Sequence, residues 1–439
     1  MKDHKSMYVV AVDMGYGHQR AAYPFTSLAE NGIYVLNDYP GISEWEKKDW
    51  DSTRKQYELI SYFKKIPLIG NTIFSVMDYF QSIRPFYPKR DLSSPSFQQK
   101  YFYKKISKGY GRNLISSLNK NPLPLLTTFF VAAYAADYYN YQGEIYCIVC
   151  DADISRAWAP MDPANSRINY LAPNKRVKER LKLYGVKEER IFITGFPLPK
   201  ENLGKNLSVL KKDLKQRLEI LDPKAVYRKK YKKIIEGYLC PINELDGPQR
   251  PFTLTFAVGG AGAQRELGVT ILTKLKDKIL EGKIKLNLVA GSRSDVYNYF
   301  NGVLKEQFLH NNENVKIIYA TKKADYFKIF NDALHTTDIL WTKPSELSFY
   351  AGLGVPIIMT PPIGSQEDYN RRWLLGIGAG VDSKNPEYVD EWLFDFLDSG
   401  WLAEAAMRGF FNGPKNGVYN IENLILHNEV HEIDNVRLL

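Results

Sequence analysis

The sequence predicts an α/β protein of two Rossmann-like domains facing a central cleft. Three observations lead there: almost wholly apolar runs of strand length recur in both halves, each closes in a turn bearing Gly, Pro or a polar residue, and segments of helical periodicity separate them. With 439 residues, 44% of them hydrophobic, the chain can fill two cores of ordinary size. The expected division is a first domain over 1–200, carrying a helical insertion at about 45–118, a basic interdomain insertion over 201–250, a second domain over 251–384 and a helical tail over 385–439.

The net charge of +10 favours acidic partners such as phosphates, nucleic acid or an anionic membrane surface. No segment approaches the ~20 uninterrupted apolar residues of a spanning helix, and the first residues lack a signal-peptide apolar core. The expectation is a cytoplasmic protein that meets a membrane, if at all, from its inner face. Cysteine is sparse. Cys147 and Cys150 have redox-motif spacing but lie in the apolar run IYCIVCD, where residues three apart on a strand point to opposite faces, and Cys240 is remote. Neither a disulfide nor a metal site is expected from them.

In chain order, Met7 to Val12 reads as a buried parallel strand, five of its six residues being apolar. It ends in DMGYGHQRAA, where Gly15 and Gly17 permit a tight turn and a close backbone approach to a ligand. The helix that follows would bury Ala21, Phe25 and Leu28, and His18 stands at its start. From Trp45 to Leu118 the pattern is helical and mixes aromatic rings with cations. Between Arg84 and Arg112 eight basic residues face Asp91 alone, a composition suited to a lipid headgroup boundary, to stacked single-stranded bases, or to an ordinary insertion with core rings and solvated charges. A strand at Leu123 to Thr128, a helix at Phe129 to Tyr139 and a strand at Ile145 to Val149 lead to DADISRAW. There Asp151 and Asp153 have the spacing of a pair that holds a divalent ion against a diphosphate.

Between Lys200 and Arg250 the chain reads as helical and highly charged. The second domain opens with a strand at Phe252 to Val258 and the loop GGAGAQRE. Gly259, Gly260 and Gly262, with Ala263 and Gln264, leave backbone N–H groups open to a diphosphate at a helix N-terminus. Strands at Lys285 to Ala290 and Val315 to Tyr319 end at Gly291 and Arg293, and at Ala320 and Thr321. The stretch DILWTKPSELSFYAGLGVPIIMTPPIGSQEDYNRRWL then makes two strand-to-helix junctions in succession, a strand at Ile339 to Trp341 with a helix from about Ser345, and a strand at Val355 to Met359 with another helix. These junctions carry Thr342, Lys343, Pro344, Ser345, Glu346, Gln366, Glu367 and Asn370.

At these residues the sequence resembles the lipid glycosyltransferases of the GT-B fold, the diacylglycerol glucosyl- and galactosyltransferases and the peptidoglycan N-acetylglucosaminyltransferase. Thr342, Lys343 and Pro344 match that family's Thr-Lys-Pro turn, and Gln366, Glu367 and Asn370 match its Gln-Glu loop in type and spacing. Gly17, His18, Ala21 and Ala22 fit its Gly-His loop, and Asp151 with Trp158 fits an Asp followed seven residues later by Trp. The departures are Ser345 and Glu346 where the family has glycines, Ala351 where an ungapped reading puts its ribose-binding Glu, and Ser155 where a His is usual. The resemblance implies an inverting enzyme with no resident cofactor or tightly bound metal, taking a nucleotide sugar (UDP-sugar) as co-substrate and a lipid or lipid-linked hydroxyl as acceptor, with no nucleic acid partner. It implies His18 as the base, Gly15, Gly17, Asp151 and Trp158 on the acceptor side, and the second-domain residues above, with Gln366, Glu367 and Asn370, around the donor. Two other readings stand beside it: a sugar-nucleotide epimerase, which shares the double-domain architecture, and a non-catalytic UDP-sugar-binding protein on a decayed fold, consistent with Ala351 and Ser155.

Overall fold

The computed structural model describes residues 5–63, 83–239, 250–259, 262, 264–362 and 364–430. The middle of the aromatic and basic stretch (64–82), Cys240, Gly260 and Ala263 lie outside them. The chain forms two compact units. The first contains Met1–Leu198, Ile363–Asn370 and Asn416–Leu439, and the second Pro199–Pro362 and Arg371–Lys415.

The first unit is built on six parallel strands, β1 (Met7–Ala11), β2 (Ala29–Val35), β3 (Leu125–Thr127), β4 (Ile145–Ile148), β5 (Ile168–Ala172) and β6 (Ile191–Ile193), in the order β2-β1-β3-β4-β5-β6. β1, β3, β4 and β5 are buried along their whole length, as strands covered on both faces must be, hence the unbroken apolar runs. The two edge strands, β2 and β6, are less buried, and β2 differs most. It is a half-exposed edge strand whose Asn31 and Gly32 take left-handed backbone angles, so it carries no apolar run and escapes a reading by periodicity. The helix after β1 is shorter than expected. It stops at Ala22 and continues as 3-10 turns over Tyr23–Leu28, because Pro24 has no N–H for the α-helical ladder.

The rings of the aromatic and basic stretch divide into two groups. Trp50 stacks on Tyr110 at 4.9 Å and Phe102 packs edge-on against Phe130 at 5.7 Å, both within the core of the unit. Tyr87, Phe97 and Tyr101 remain exposed. The helix Phe97–Ser107 is held at its start by a reciprocal capping box between Ser96 and Gln99.

The second unit repeats the design with β7 (Phe252–Ala257), β8 (Ile284–Gly291), β9 (Val315–Tyr319), β10 (Ile339–Thr342), β11 (Ile357–Met359) and β12 (Gly380–Asp382), in the order β12-β11-β10-β7-β8-β9, all parallel. The element after β10 differs from expectation, with 3-10 turns over Glu346–Leu353 in place of an α-helix. Leu347 through Leu353 are all buried there, and a Cβ on Gly409 would collide with the Ala351 carbonyl, so the segment is packed on every side.

The charged segment after residue 200 also corrects the sequence reading of it as an insertion. Helix Ser208–Leu221 buries Leu210, Leu214, Leu218 and Leu221 within the second unit. Its Arg217, 1% exposed, donates to the carbonyls of Thr337 (2.8 Å), Leu353 (3.0 Å), Gly354 (3.3 Å) and Leu334 (3.1 Å). Burial lowers its pKa to about 10. Counting charges hides this, because the buried stripe has only one residue in three or four. Of the tail, Val389–Asp398 and Trp401–Asn412 pack in the second unit. Gly417–Glu422 belongs to the first, where Asn420 donates to the Thr194 carbonyl at 2.9 Å. Among the described residues no helix is long and apolar enough to cross a membrane.

Arg217→Ala would strand several buried carbonyls at once. The expected cost is about 3 kcal/mol, seen in thermal denaturation as a fall of roughly 6–12 °C for a unit of this size; an unchanged melting temperature would show the guanidinium to be dispensable.

Candidate functional site

In a parallel sheet the loops at the carboxyl ends of two adjacent strands part where the winding reverses, leaving a crevice. In the second unit the reversal falls between β7 and β10. The loop after β7 is glycine-rich because its backbone needs it: Gly262 has φ +70°, and a Cβ there would stand 3.1 Å from Arg293 Nε and Val296 Cγ2. Across the reversal, Lys343 follows β10 and lays its stem along Gly259, where a Cβ would come within 3.2 Å of Cδ and Cε. A side chain at position 259 would require the lysine stem to give by a few tenths of an ångström. Arg293, beside Gly262, is held by Asp295 through two hydrogen bonds of 3.1 Å, which lower the aspartate's pKa. Gln264, also left-handed at φ +69°, precedes helix Arg265–Lys274 and accepts a 3.0 Å hydrogen bond from the Thr360 hydroxyl, tying the loop after β7 to the end of β11.

The remaining donor-side residues divide by what they touch. Thr342 is buried and donates to the Ala257 carbonyl at 3.3 Å, so its hydroxyl joins β10 to β7. Gly291, at φ +69°, ends β8 and accepts from the Ala320 N–H at 3.1 Å, and Thr321 beyond it is exposed. Pro344 is buried, Ser345 is extended, and Glu346 is half-buried at the first 3-10 turn. Ala351, fully buried, has no route to a ligand. Gln366, Glu367 and Asn370 belong to the first unit. There Asn370 is 1% exposed, accepts from the Ala152 N–H at 2.7 Å and donates to Asp151 Oδ1 at 3.0 Å, clasping the loop after β4. The sequence grouped these three with the donor loops; their unit is the other one.

In the first unit the winding reverses between β1 and β3, and His18 lies there. Gly15, at φ +95°, turns the chain out of β1, and Gly17 begins the helix that carries the imidazole. His18 Nδ1 meets the carbonyl oxygen of Thr128, just past β3, at 2.5 Å. A carbonyl only accepts, so Nδ1 carries the proton and the neutral ring has its lone pair on Nε2. The same carbonyl takes the Cys150 thiol at 3.7 Å, which draws the ends of β1, β3 and β4 to one atom. Phe129 packs edge-on to the imidazole at 5.0 Å, and Trp158, in the core, lies 6.3 Å away. The wall beside the histidine is therefore apolar.

Asp153 is not a metal ligand. It is buried, and its carboxylate is taken up by Arg180 (2.8 and 2.7 Å), Arg176 (3.0 Å) and the Ile154 N–H (2.9 Å). Among the described residues no three His, Cys, Asp or Glu side chains cluster as a metal site. Cys147 and Cys150 are free, buried thiols, and desolvation raises the pKa of Cys147. Three features had no signal in the sequence: the Thr128 carbonyl, which any residue could supply; Thr360, which precedes Pro-Pro with no motif; and the stacked pair Tyr297 and Tyr319, 4.7 Å apart at the end of β9.

Two six-stranded parallel sheets of this order define a protein of two Rossmann-like α/β units, the fold class expected from the sequence. No protein-family model matches the chain, and no curated protein does. Among solved structures it is similar to S. aureus MnaA with UDP, at 13% identity over 97% of this chain and 96% of that one, TM-score 0.47. It is similar also to the UDP-GlcNAc 2-epimerase from Neisseria meningitidis bound to UDP-GlcNAc (13%, 81% and 89%, TM-score 0.44) and to a glycosyltransferase from Rickettsia africae ESF-5 (13%, 98% and 100%, TM-score 0.41). Likeness at this level carries no activity over to the chain.

Nitrogen NMR of the protein labelled at histidine should find neutral His18 protonated on Nδ1. A ring protonated on Nε2 would mean that the Thr128 contact is not a hydrogen bond in solution.

Proposed function

We propose that the chain transfers a sugar from a UDP-sugar to a hydroxyl of a lipid or lipid-linked acceptor, with inversion at the anomeric carbon and without a bound metal. The observation that carries the reading is the pairing of Lys343 with Gly259 at the strand-order reversal of the second unit. Lys343 beside Gly259 and Arg293 beside Gly262, just ahead of the N-terminus of helix Arg265–Lys274, supply the positive charge that a diphosphate requires. The match of Thr342-Lys343-Pro344 and Gly17-His18 to the lipid glycosyltransferases supports the same reading, with Glu346 as the carboxylate for the ribose.

In the proposed reaction the acceptor oxygen bonds to the anomeric carbon as that carbon's bond to the diphosphate oxygen breaks. The electron pair leaves with UDP, and the acceptor's proton passes to Nε2 of His18. The Thr128 carbonyl favours this tautomer, and the imidazolium formed keeps its Nδ1 hydrogen bond. Lys343, Arg293 and the positive end of helix Arg265–Lys274 offset the charge growing on the leaving group.

The division of labour is testable by kinetics. His18→Ala should lower kcat by ~100-fold to ~10,000-fold while UDP affinity and melting temperature stay near wild type. Lys343→Ala should instead weaken UDP binding by roughly tenfold or more. Radiolabelled UDP-sugars screened against lipid extracts identify the acceptor. NMR of the same nucleotide sugars incubated alone tests the epimerase, because turnover without acceptor would replace the transferase reading.

The proposed acceptor places the protein at the inner face of a membrane, through the first unit. Helix Phe97–Ser107 exposes Phe97, Lys100, Tyr101 and Lys104, and Tyr87, Lys89 and Arg90 are exposed before it. Each cation near an anionic surface contributes roughly 1 kcal/mol, so attachment should weaken with salt. Flotation should recover the protein with anionic vesicles and not with neutral ones; equal recovery from both, or none, would remove the membrane from the proposal.

A further inference from the structure

The sheet of the second unit breaks a rule at its other end. Parallel strands covered by helices are apolar on both faces, yet Thr253 of β7 pairs in register with Lys285 of β8, and Thr255 with Asn287; Asn287 in turn pairs with Lys316 on β9, the half-exposed edge strand. Alternate residues share a face, so one side of β7, β8 and β9 is a polar ladder. Part of it is satisfied internally: Asn287 donates to the Thr255 hydroxyl at 3.0 Å, and Thr255 meets the Thr337 hydroxyl at 2.8 Å. The rest lines a cavity of about 210 Å³.

Every residue lining that cavity has a polar side chain; Arg250 is balanced by buried Asp338, and the remaining charges are two lysines, Lys285 and Lys316, against the single acid Glu313. Arg250 is fixed in place, donating to both oxygens of buried Asp338 at 2.7 Å. Lysines at this end of a parallel sheet could serve only to neutralise the carbonyl ends of helices. Such lysines would bond a carbonyl or a carboxylate, and among the described residues neither Lys285 nor Lys316 does so.

We infer that the cavity is a second anion site, for inorganic phosphate or the phosphate of a small monoester. The excess of cations sets the charge of the ligand, and the volume sets its size, since sites for nucleotide-sized ligands begin at about 300 Å³. Lys285 and Lys316 would supply charge-assisted hydrogen bonds, Arg250 a fixed guanidinium, and the Asn314 amide, which spends one proton on the Ile279 carbonyl at 3.1 Å, a neutral donor. The site is separate from the glycine loop. Lys285 and Gly291 stand six residues apart on β8, roughly 20 Å. It also stands independently of the transferase reading.

The experiment is calorimetric titration of inorganic phosphate into the full chain, at ionic strength held constant with chloride. Lys343→Ala, altered at the glycine loop, should keep the phosphate dissociation constant of wild type. Lys285→Met/Lys316→Met should raise it roughly tenfold or more, as loss of two charge-assisted contacts requires, with UDP affinity unchanged. Should the double variant fail to fold, Lys316→Glu, at an exposed position, tests the same point. Phosphate affinity unaltered by the lysine changes, or abolished by Lys343→Ala, would overturn the inference. Titration of glycerol phosphate beside the free ion tells a monoester site from a phosphate site by which binds more tightly.

Discussion

The constraint on which the molecule depends is the reversal of winding in each parallel sheet. Parallel strands need long crossovers, and those crossovers are right-handed. A chain that winds first to one side of its opening strands and then to the other must leave two neighbouring loops diverging at the carboxyl edge. In the first unit those loops hold His18 and the Thr128 carbonyl; in the second they hold Gly259 and Lys343. Residues far apart in sequence become partners because the sheet order puts β1 beside β3 and β7 beside β10.

The two crevices are built from different materials. His18 stands against Phe129 and Trp158, rings that belong to a large apolar core. The glycine loop of the second unit is instead bordered by cations and braced by polar contacts, Thr342 to Ala257 and Thr360 to Gln264. Deeper in that unit Asp338 is buried with Arg250, and Arg217 is buried on backbone carbonyls. Buried charges persist only where each is paired or hydrogen-bonded, and here they join the segment before β7 and the helix Ser208–Leu221 to the amino end of β10.

How much was legible follows the physics of each feature. β1, β3, β4, β7 and β10 are buried along their length, β8 almost so, and they announce themselves as apolar runs, while β9, a half-exposed edge strand, is legible through Val315, Ile317 and Ile318. The edge strand β2 and the three-residue β12 do not. Gly15, Gly262 and Gly291 could be picked out because positive φ needs glycine at little cost only there. The 3-10 turns after β10 could not, since their apolar residues suit an α-helix equally and only the packing around Ala351 tightens them.

By itself, then, the sequence determined the class of the protein, two parallel α/β units, and which loops end in glycine, histidine and lysine, because burial and backbone angle constrain residue type locally. Tertiary structure alone decided the partners. A backbone carbonyl at Thr128 has no side-chain signature, Asn370 reads the same whether it serves the second unit or clasps Asp151 in the first, and a polar ladder across β7, β8 and β9 exists only once register is set. Each of these depends on which distant strand lies alongside, and strand order is a property of the folded chain as a whole.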